Sequence, residues 1–138
     1  MPIPFDLPPA ILIVEDQAQL RRLIRTVLTR AGYATLEASR VTAAEEVIRS
    51  FSGKIRLAIL DIVMPGGSGL DFANQLDIEF PGTKILYISG FVQSVAVESI
   101  GRRQPAAILL KPFTGAQLLA RVQLMLGQDA PDRSSGRP

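Results

Sequence analysis

Side chains suited to phosphate and metal chemistry stand at the ends of apolar runs along this chain. Glu15-Asp16 follows Ala10–Val14, Asp61 follows Leu57–Leu60, Ser89 follows Lys84–Ile88, and Lys111 follows Ala106–Leu110. Three carboxylates brought together repel one another and raise one another's pKa. A hard divalent cation relieves that repulsion, and Mg²⁺ favours octahedral oxygen coordination while keeping several waters. That chemistry suits Asp16 and Asp61 as direct ligands and Glu15 as one acting through a water. A carboxylate is also a nucleophile toward phosphorus and forms an acyl phosphate. Such a transfer needs mainly positioning and charge stabilisation. Lys111 would neutralise phosphoryl oxygens and Ser89 would donate a hydrogen bond to one, with Asp61 as the acceptor.

Each residue alone has a simpler reading. Asp61 can be a turn former, and Asp16-x-x-Gln19 can cap a helix. Ser89-Gly90 can be an ordinary loop, Lys111-Pro112 an exposed turn, and Glu15 a solvated acid. Taken together the simple readings weaken. Four of five strand ends carry groups that one phosphate-and-metal site needs, and unrelated loops have no reason to sort that way.

The elements that would position these groups alternate in type. Ala10–Val14, Tyr33–Ala38, Leu57–Leu60, Lys84–Ile88 and Ala106–Leu110 read as strands. Gln17–Ala31 carries Leu20, Leu23, Ile24, Val27 and Leu28 at helical spacing and stops at Gly32. Thr42-x-x-Glu45 resembles a capping box ahead of Val47, Ile48 and Phe51. Ser68-x-x-Asp71 opens a helix with Leu70, Phe72, Ala73 and Leu76, Val92–Ile100 forms a weaker one, and Thr114-x-x-Gln117 caps a last helix through Leu126. Continuous apolar strands imply a parallel sheet covered on both faces. The fold expected is α/β, a (βα)5 doubly wound five-stranded sheet. In strand order 2-1-3-4-5, strands 1 and 3 flank the switch point where ligands bind, at the carboxyl edge. Residues 10–126 would form the domain, with 1–9 a proline-rich lead-in and 127–138 a flexible tail.

Composition narrows the function. The chain has 138 residues, 47% apolar, with 15 basic and 13 acidic side chains, no cysteine and no histidine. Thiol metal sites, imidazole catalysis and self-contained histidine phosphotransfer are therefore excluded. No Lys/Arg run exceeds two residues, so a direct nucleic-acid footprint is not evident. Apolar runs of about five residues fall far short of the ~20 that span a bilayer. No basic region precedes Arg21, and a cytoplasmic location is the expectation.

The stretches Ile11-Leu12-Ile13-Val14-Glu15-Asp16, Asp61-Ile62-Val63-Met64-Pro65-Gly66-Gly67-Ser68-Gly69, Ile88-Ser89-Gly90 and Lys111-Pro112-Phe113 resemble the response-regulator receiver family of two-component signalling. The likeness runs over roughly residues 10–126. It implies a flavodoxin-like (βα)5 fold, Mg²⁺ dependence, and a phosphoryl group passed from a sensor histidine kinase or histidine phosphotransfer protein to Asp61. It also implies a metal-bound carbonyl at Val63 and a cis Lys111-Pro112 bond. A hydroxyl shift at Ser89 would switch a surface of helix 4, strand 5 and helix 5, which binds an unknown downstream target or a second copy of the chain. The family often has an aromatic residue three positions before the lysine; here it is Ile108, which puts the aromatic-rotamer form of switching in doubt. Val63 and Phe91 stand where the family admits hydrolytic water, and both are apolar, which implies slow dephosphorylation. Arg21, Arg22 and Arg25 lie where the family docks its kinase, or simply on a solvated helix face.

Other functions remain as contrasts. Phosphatases resembling the haloacid dehalogenase family carry a second Asp where this chain has Val63. A flavodoxin's Ser/Thr-rich phosphate loop and the Walker lysine are also missing. The twelve residues past Leu126 are too few for a helix-turn-helix module, so the first expectation is a single-domain regulator or phosphorelay shuttle. The runners-up are a receiver excised from a larger hybrid sensor kinase or regulator, and a protein-binding module that is never phosphorylated.

Overall fold

The computed structural model describes residues 8–64, 67–90 and 108–127. Five strands form one parallel sheet: β1 (Ala10–Val14), β2 (Ala34–Ala38), β3 (Ile55–Asp61), β4 (Lys84–Ser89) and β5 (Ile108–Leu110). Their order is β2-β1-β3-β4-β5, as expected. Helices α1 (Ala18–Arg30), α2 (Val41–Ser50), α3 (Gly69–Glu79) and α4 (Gly115–Leu126) are the four among the described residues. The helix expected at Val92–Ile100 and the start of the fifth strand at Ala106-Ala107 lie outside them, as do most of the lead-in and tail. No described helix is long and apolar enough to cross a membrane.

Two-sided burial explains the apolar runs. Side chains alternate across a strand, so Ile11 and Ile13 of β1 join Leu57, Ile59, Leu86 and Ile88 beneath α1 and α4. Leu12 and Val14 face the other way, with Ala58 and Leu60, against Ala44 and Ile48 of α2 and Phe72, Ala73 and Leu76 of α3. All five residues of β1 are buried. An alternating polar position on such a strand would leave an unsatisfied group in one core or the other.

The helix ends test the sequence signals locally. Thr114 caps α4 with the full reciprocal box: its side chain accepts from the Gln117 N–H, and Gln117 accepts from the Thr114 N–H. Gly32 follows α1 with φ 98°, a left-handed conformation that glycine adopts without Cβ strain. The capping box expected at Thr42-x-x-Glu45 does not form. Arg40, extended at φ −161° and ψ 169°, is the N-cap of α2, and no side-chain bond caps it. Thr42 lies inside the first turn, where its hydroxyl is past the position from which it could cap. Asp16 likewise does not cap α1; Gln17 is the N-cap, again without a side-chain bond.

Register brings the strand ends level. Val14 pairs with Leu60 and with Ala38, Asp61 pairs with Ile88, and Ser89 pairs with Leu110. The ladder continues one residue further in three places, through Glu15 N to Ala38 O, Ile62 N to Ile88 O, and Lys111 N to Ser89 O. The residues following β1, β3 and β5 therefore meet at one edge.

Candidate functional site

At that edge Glu15, Asp16 and Asp61 present carboxylate oxygens that all lie within 4.8 Å of one another. Lys111 enters from the end of β5. Its Nζ donates to Asp61 Oδ2 at 2.7 Å and lies 3.5 Å from Glu15 Oε1. Asp61 Oδ1 accepts from the main-chain N–H of Val63 at 3.0 Å. One oxygen of Asp61 is thus held by the following turn and the other by the lysine. Ser89 is buried at the end of β4, next to the residue that pairs with Asp61. The Lys111-Pro112 bond is cis, as the resemblance implies. The sequence-derived residues Glu15, Asp16, Asp61 and Lys111 are brought together, with Ser89 and Val63 on the adjoining segments.

The reading of Glu15 as a solvated acid is overturned. Glu15 is fully buried, because β1 runs one residue further into the sheet than its apolar segment suggests. Its Oε2 accepts from the Gln17 N–H at 2.9 Å, while Oε1 has no hydrogen-bond partner. Burial drives its carboxyl up to about 7; the Gln17 N–H opposes this, the Asp61 charge adds to it, and Lys111 opposes it. Repulsion among the acids is therefore secondary to burial here. Burial lowers the pKa of Lys111, but the hydrogen bond to Asp61 and the charges of Glu15 and Asp61 outweigh it and hold the ammonium above the ordinary lysine value.

The sign of the Glu15 shift gives a prediction for the metal-free protein. Between about 4.5 and about 7 the folded state keeps a proton on Glu15 that the unfolded chain has released. The associated stability is complete below that window and lost as the pH rises through it. Glu15→Gln should remove a pH-linked loss on the order of 3 kcal/mol. Denaturant melts in a chelator at pH 4 and pH 8, for both proteins, measure it. Parallel pH profiles for the two would refute the assignment.

Two contacts gave no sequence signal. Arg21 Nη1 donates to the main-chain oxygen of Glu15 at 2.7 Å, and its Nε lies 3.5 Å from Glu37 Oε1. Nothing in the spacing of Glu15, Arg21 and Glu37 announces this, because Glu37 arrives on the neighbouring strand. The second is Gly69, at the start of α3, where an added Cβ would sit 2.3 Å from the main-chain oxygen of Asp61. The sequence motif includes this glycine but does not reveal what it packs against.

The family model for the response regulator receiver domain matches residues 11–123. Among curated relatives, the phosphate regulon transcriptional regulatory protein PhoB of Pseudomonas aeruginosa is 32% identical over 90% of this chain and 54% of its own length. The sensor kinase CckA of Brucella abortus is 28% identical over 84% of this chain, which spans only 12% of that protein. The chain thus spans about half or less of these two relatives. Among solved structures, the response regulator TrrA of Thermotoga maritima, crystallised with Mg²⁺ and a beryllium fluoride, superposes with a TM-score of 0.71. It is 29% identical, over 86% of this chain and 99% of that one. Sequence, sheet topology and the meeting of acids and lysine at the carboxyl edge agree, and this chain belongs to the response regulator receiver domain family.

Proposed function

We propose that this protein accepts a phosphoryl group on Asp61 from a phosphohistidine of a sensor histidine kinase or histidine phosphotransfer protein. The observation that carries this reading is the Glu15, Asp16 and Asp61 cluster, with the Lys111 ammonium 2.7 Å from the Asp61 carboxylate. An oxygen of Asp61 attacks phosphorus and the P–N bond breaks with its electron pair going to the ring nitrogen, so that a phosphohistidine protonated on its other nitrogen leaves as neutral imidazole. The acyl phosphate so formed gains its charge stabilisation from Lys111 and a hydrogen bond from the Ser89 hydroxyl.

The donor set fits Mg²⁺. It is all oxygen, it gathers three carboxylates, and one buried oxygen of Glu15 lacks a hydrogen bond. Asp16, Asp61 and the Val63 carbonyl would hold the ion directly, and Glu15 through a water. When bound, it neutralises charge on the phosphoryl oxygens. The structure of the relative TrrA with Mg²⁺ and beryllium fluoride supports this reading.

A cleft of about 620 Å³ beside Lys111, bordered by Gln17, Leu20, Pro112 and Phe113, offers an approach for the phosphohistidine. Residues 10–126 would be the receiver unit, flanked by a lead-in and a tail. Signalling would pass through the expected helix 4 with β5 and α4, to a downstream protein or a second copy. Ile108 of β5 holds an Arg121 guanidinium on its main-chain oxygen. Because position 108 carries no aromatic ring, the output surface would switch by loop bias rather than by an aromatic rotamer. The longer relatives favour a second reading, in which the chain is the receiver part of a hybrid sensor kinase or regulator.

Incubation with Mg²⁺ and beryllium fluoride, followed by NMR, tests the proposal. Shifts around Ser89 and Lys111 are expected, and a folded protein indifferent to both additions would end it. A separate prediction concerns persistence of the phosphoryl group. Val63 is 62% exposed beside Asp61, where it would hinder an attacking water, so polar replacements at Val63 and Phe91 should shorten the phosphoprotein lifetime several-fold. An unchanged decay of label would count against this account.

A further inference from the structure

Arg21 carries a further inference, because its guanidinium joins the end of β1 to Glu37 of β2. Its Nη1 donates to the main-chain oxygen of Glu15 at 2.7 Å. Its Nε faces Glu37 Oε1 at 3.5 Å, and Glu37 also accepts from Arg25 at 3.2 Å. Its own N–H donates to the Gln17 carbonyl at 2.9 Å, closing the first turn of α1. The Glu15 residue is therefore held on both sides: its N–H on the β2 ladder through Ala38, its carbonyl on Arg21.

That carbonyl belongs to the peptide linking Glu15 to Asp16. Fixing its plane fixes the direction in which the chain leaves β1 and hence where Asp16 begins. Glu15 is fully buried and locked by the sheet, whereas Asp16 is exposed and does not cap α1. Asp16 is thus the member of the acidic cluster whose placement depends most on the peptide before it. Guanidinium is suited to this task because its donors lie in one rigid plane, so one nitrogen can rest on Glu37 while another reaches the carbonyl.

We infer that Arg21 is a positioning residue: by clamping the Glu15 carbonyl against Glu37 of β2, it aims Asp16 and so sets how strongly the acidic edge holds a divalent cation. The inference rests on the proposed Mg²⁺ site. Its sign separates it from simple electrostatics. Deleting a cation near a Mg²⁺ site should tighten metal binding if charge alone matters. Loss of a positioning contact should weaken it, by about tenfold, as outer-shell partners of metal ligands generally do.

Mg²⁺ titration by calorimetry tests this on the wild type and on Arg21→Met, Arg21→Lys, Arg25→Met and the pair Arg21→Met with Glu37→Gln. Arg21→Met should raise the Mg²⁺ dissociation constant about tenfold. Arg21→Lys, which keeps the charge and a single donor nitrogen but not the planar fork, should recover part of that loss. Arg25→Met removes the same charge from Glu37 without touching the Glu15 carbonyl, and should stay within about twofold of wild type. Adding Glu37→Gln to Arg21→Met should cost little more, because the clamp is already gone. Unchanged or tighter Mg²⁺ binding by Arg21→Met, including the case in which only its melting temperature drops, overturns the inference and leaves the metal site standing. An Arg21→Lys variant as weak as Arg21→Met, or an Arg25→Met variant equally impaired, also overturns it. A wild-type protein that binds no Mg²⁺ removes the site itself, and the inference with it.

Discussion

Asp61→Asn is expected to abolish phosphoryl incorporation, by at least about 10³-fold, the class of effect that follows loss of a nucleophile. The amide has nearly the same shape, so its oxygen can still accept from either the Val63 N–H or Lys111. What disappears is the negative charge and the oxygen that attacks phosphorus. Removing one of three clustered acids also relieves repulsion, so the variant should fold at least as well as wild type without metal. That separates a chemical defect from a folding defect. Intact-mass measurement after exposure to a small acyl-phosphate donor with Mg²⁺ gives the stoichiometry. Beryllium fluoride shifts at Ser89 and Lys111 should vanish in the same variant. Full incorporation by Asp61→Asn would place the acceptor elsewhere and remove the basis of the functional proposal.

The second large effect is expected at Gly69. A Cβ there would lie 2.3 Å from the oxygen, 3.2 Å from the carbonyl carbon of Asp61, and 3.3 Å from the Cα of Ile62. All three are main-chain atoms, so no side chain can swing aside. Either α3 must back away from the sheet or the Asp61-Ile62 segment must move. Overpacking of this kind costs about 1–3 kcal/mol, and a backbone obstacle argues for the upper end. Gly69→Ala should therefore lower the melting temperature by several degrees and weaken both Mg²⁺ binding and phosphoryl acceptance, through displacement of Asp61. Gly82→Ala is the control, since nothing lies within 4 Å of the Cβ it would add; it should change stability by no more than about 0.5 kcal/mol. If Gly69→Ala melts and accepts phosphoryl like wild type, the close approach of α3 to β3 is not as described.

The two variants probe different levels of one arrangement. Asp61→Asn removes the reacting atom and leaves its surroundings. Gly69→Ala leaves the reacting atom and disturbs the backbone that presents it. Loss of function in both, with loss of stability in only the second, is the joint outcome the structure predicts.

Much of this was legible in the residues. The uninterrupted apolar runs Ile11–Val14 and Leu57–Leu60 required strands buried on both faces, because each supplies side chains to two separate cores. The polar residues that follow those runs then had to gather at one edge, since parallel strands end together. The Thr114 capping box and the Gly32 stop were readable because they are local, made between residues a few positions apart. The Thr42 box failed for the same kind of reason: a four-residue pattern does not state which residue leaves the helix. Tertiary structure alone decided four matters. It buried Glu15, because pairing of β1 with β2 extends one residue past the apolar run. It placed Lys111 nearer Asp61 than Glu15, at 2.7 Å against 3.5 Å. It also set Arg21 between Glu37 and the Glu15 carbonyl, and α3 against the Asp61 backbone at Gly69. Sequence patterns report which groups share a face or an edge. Contacts between strands and helices far apart in the chain depend on register and close packing, which emerge only when the two cores are filled.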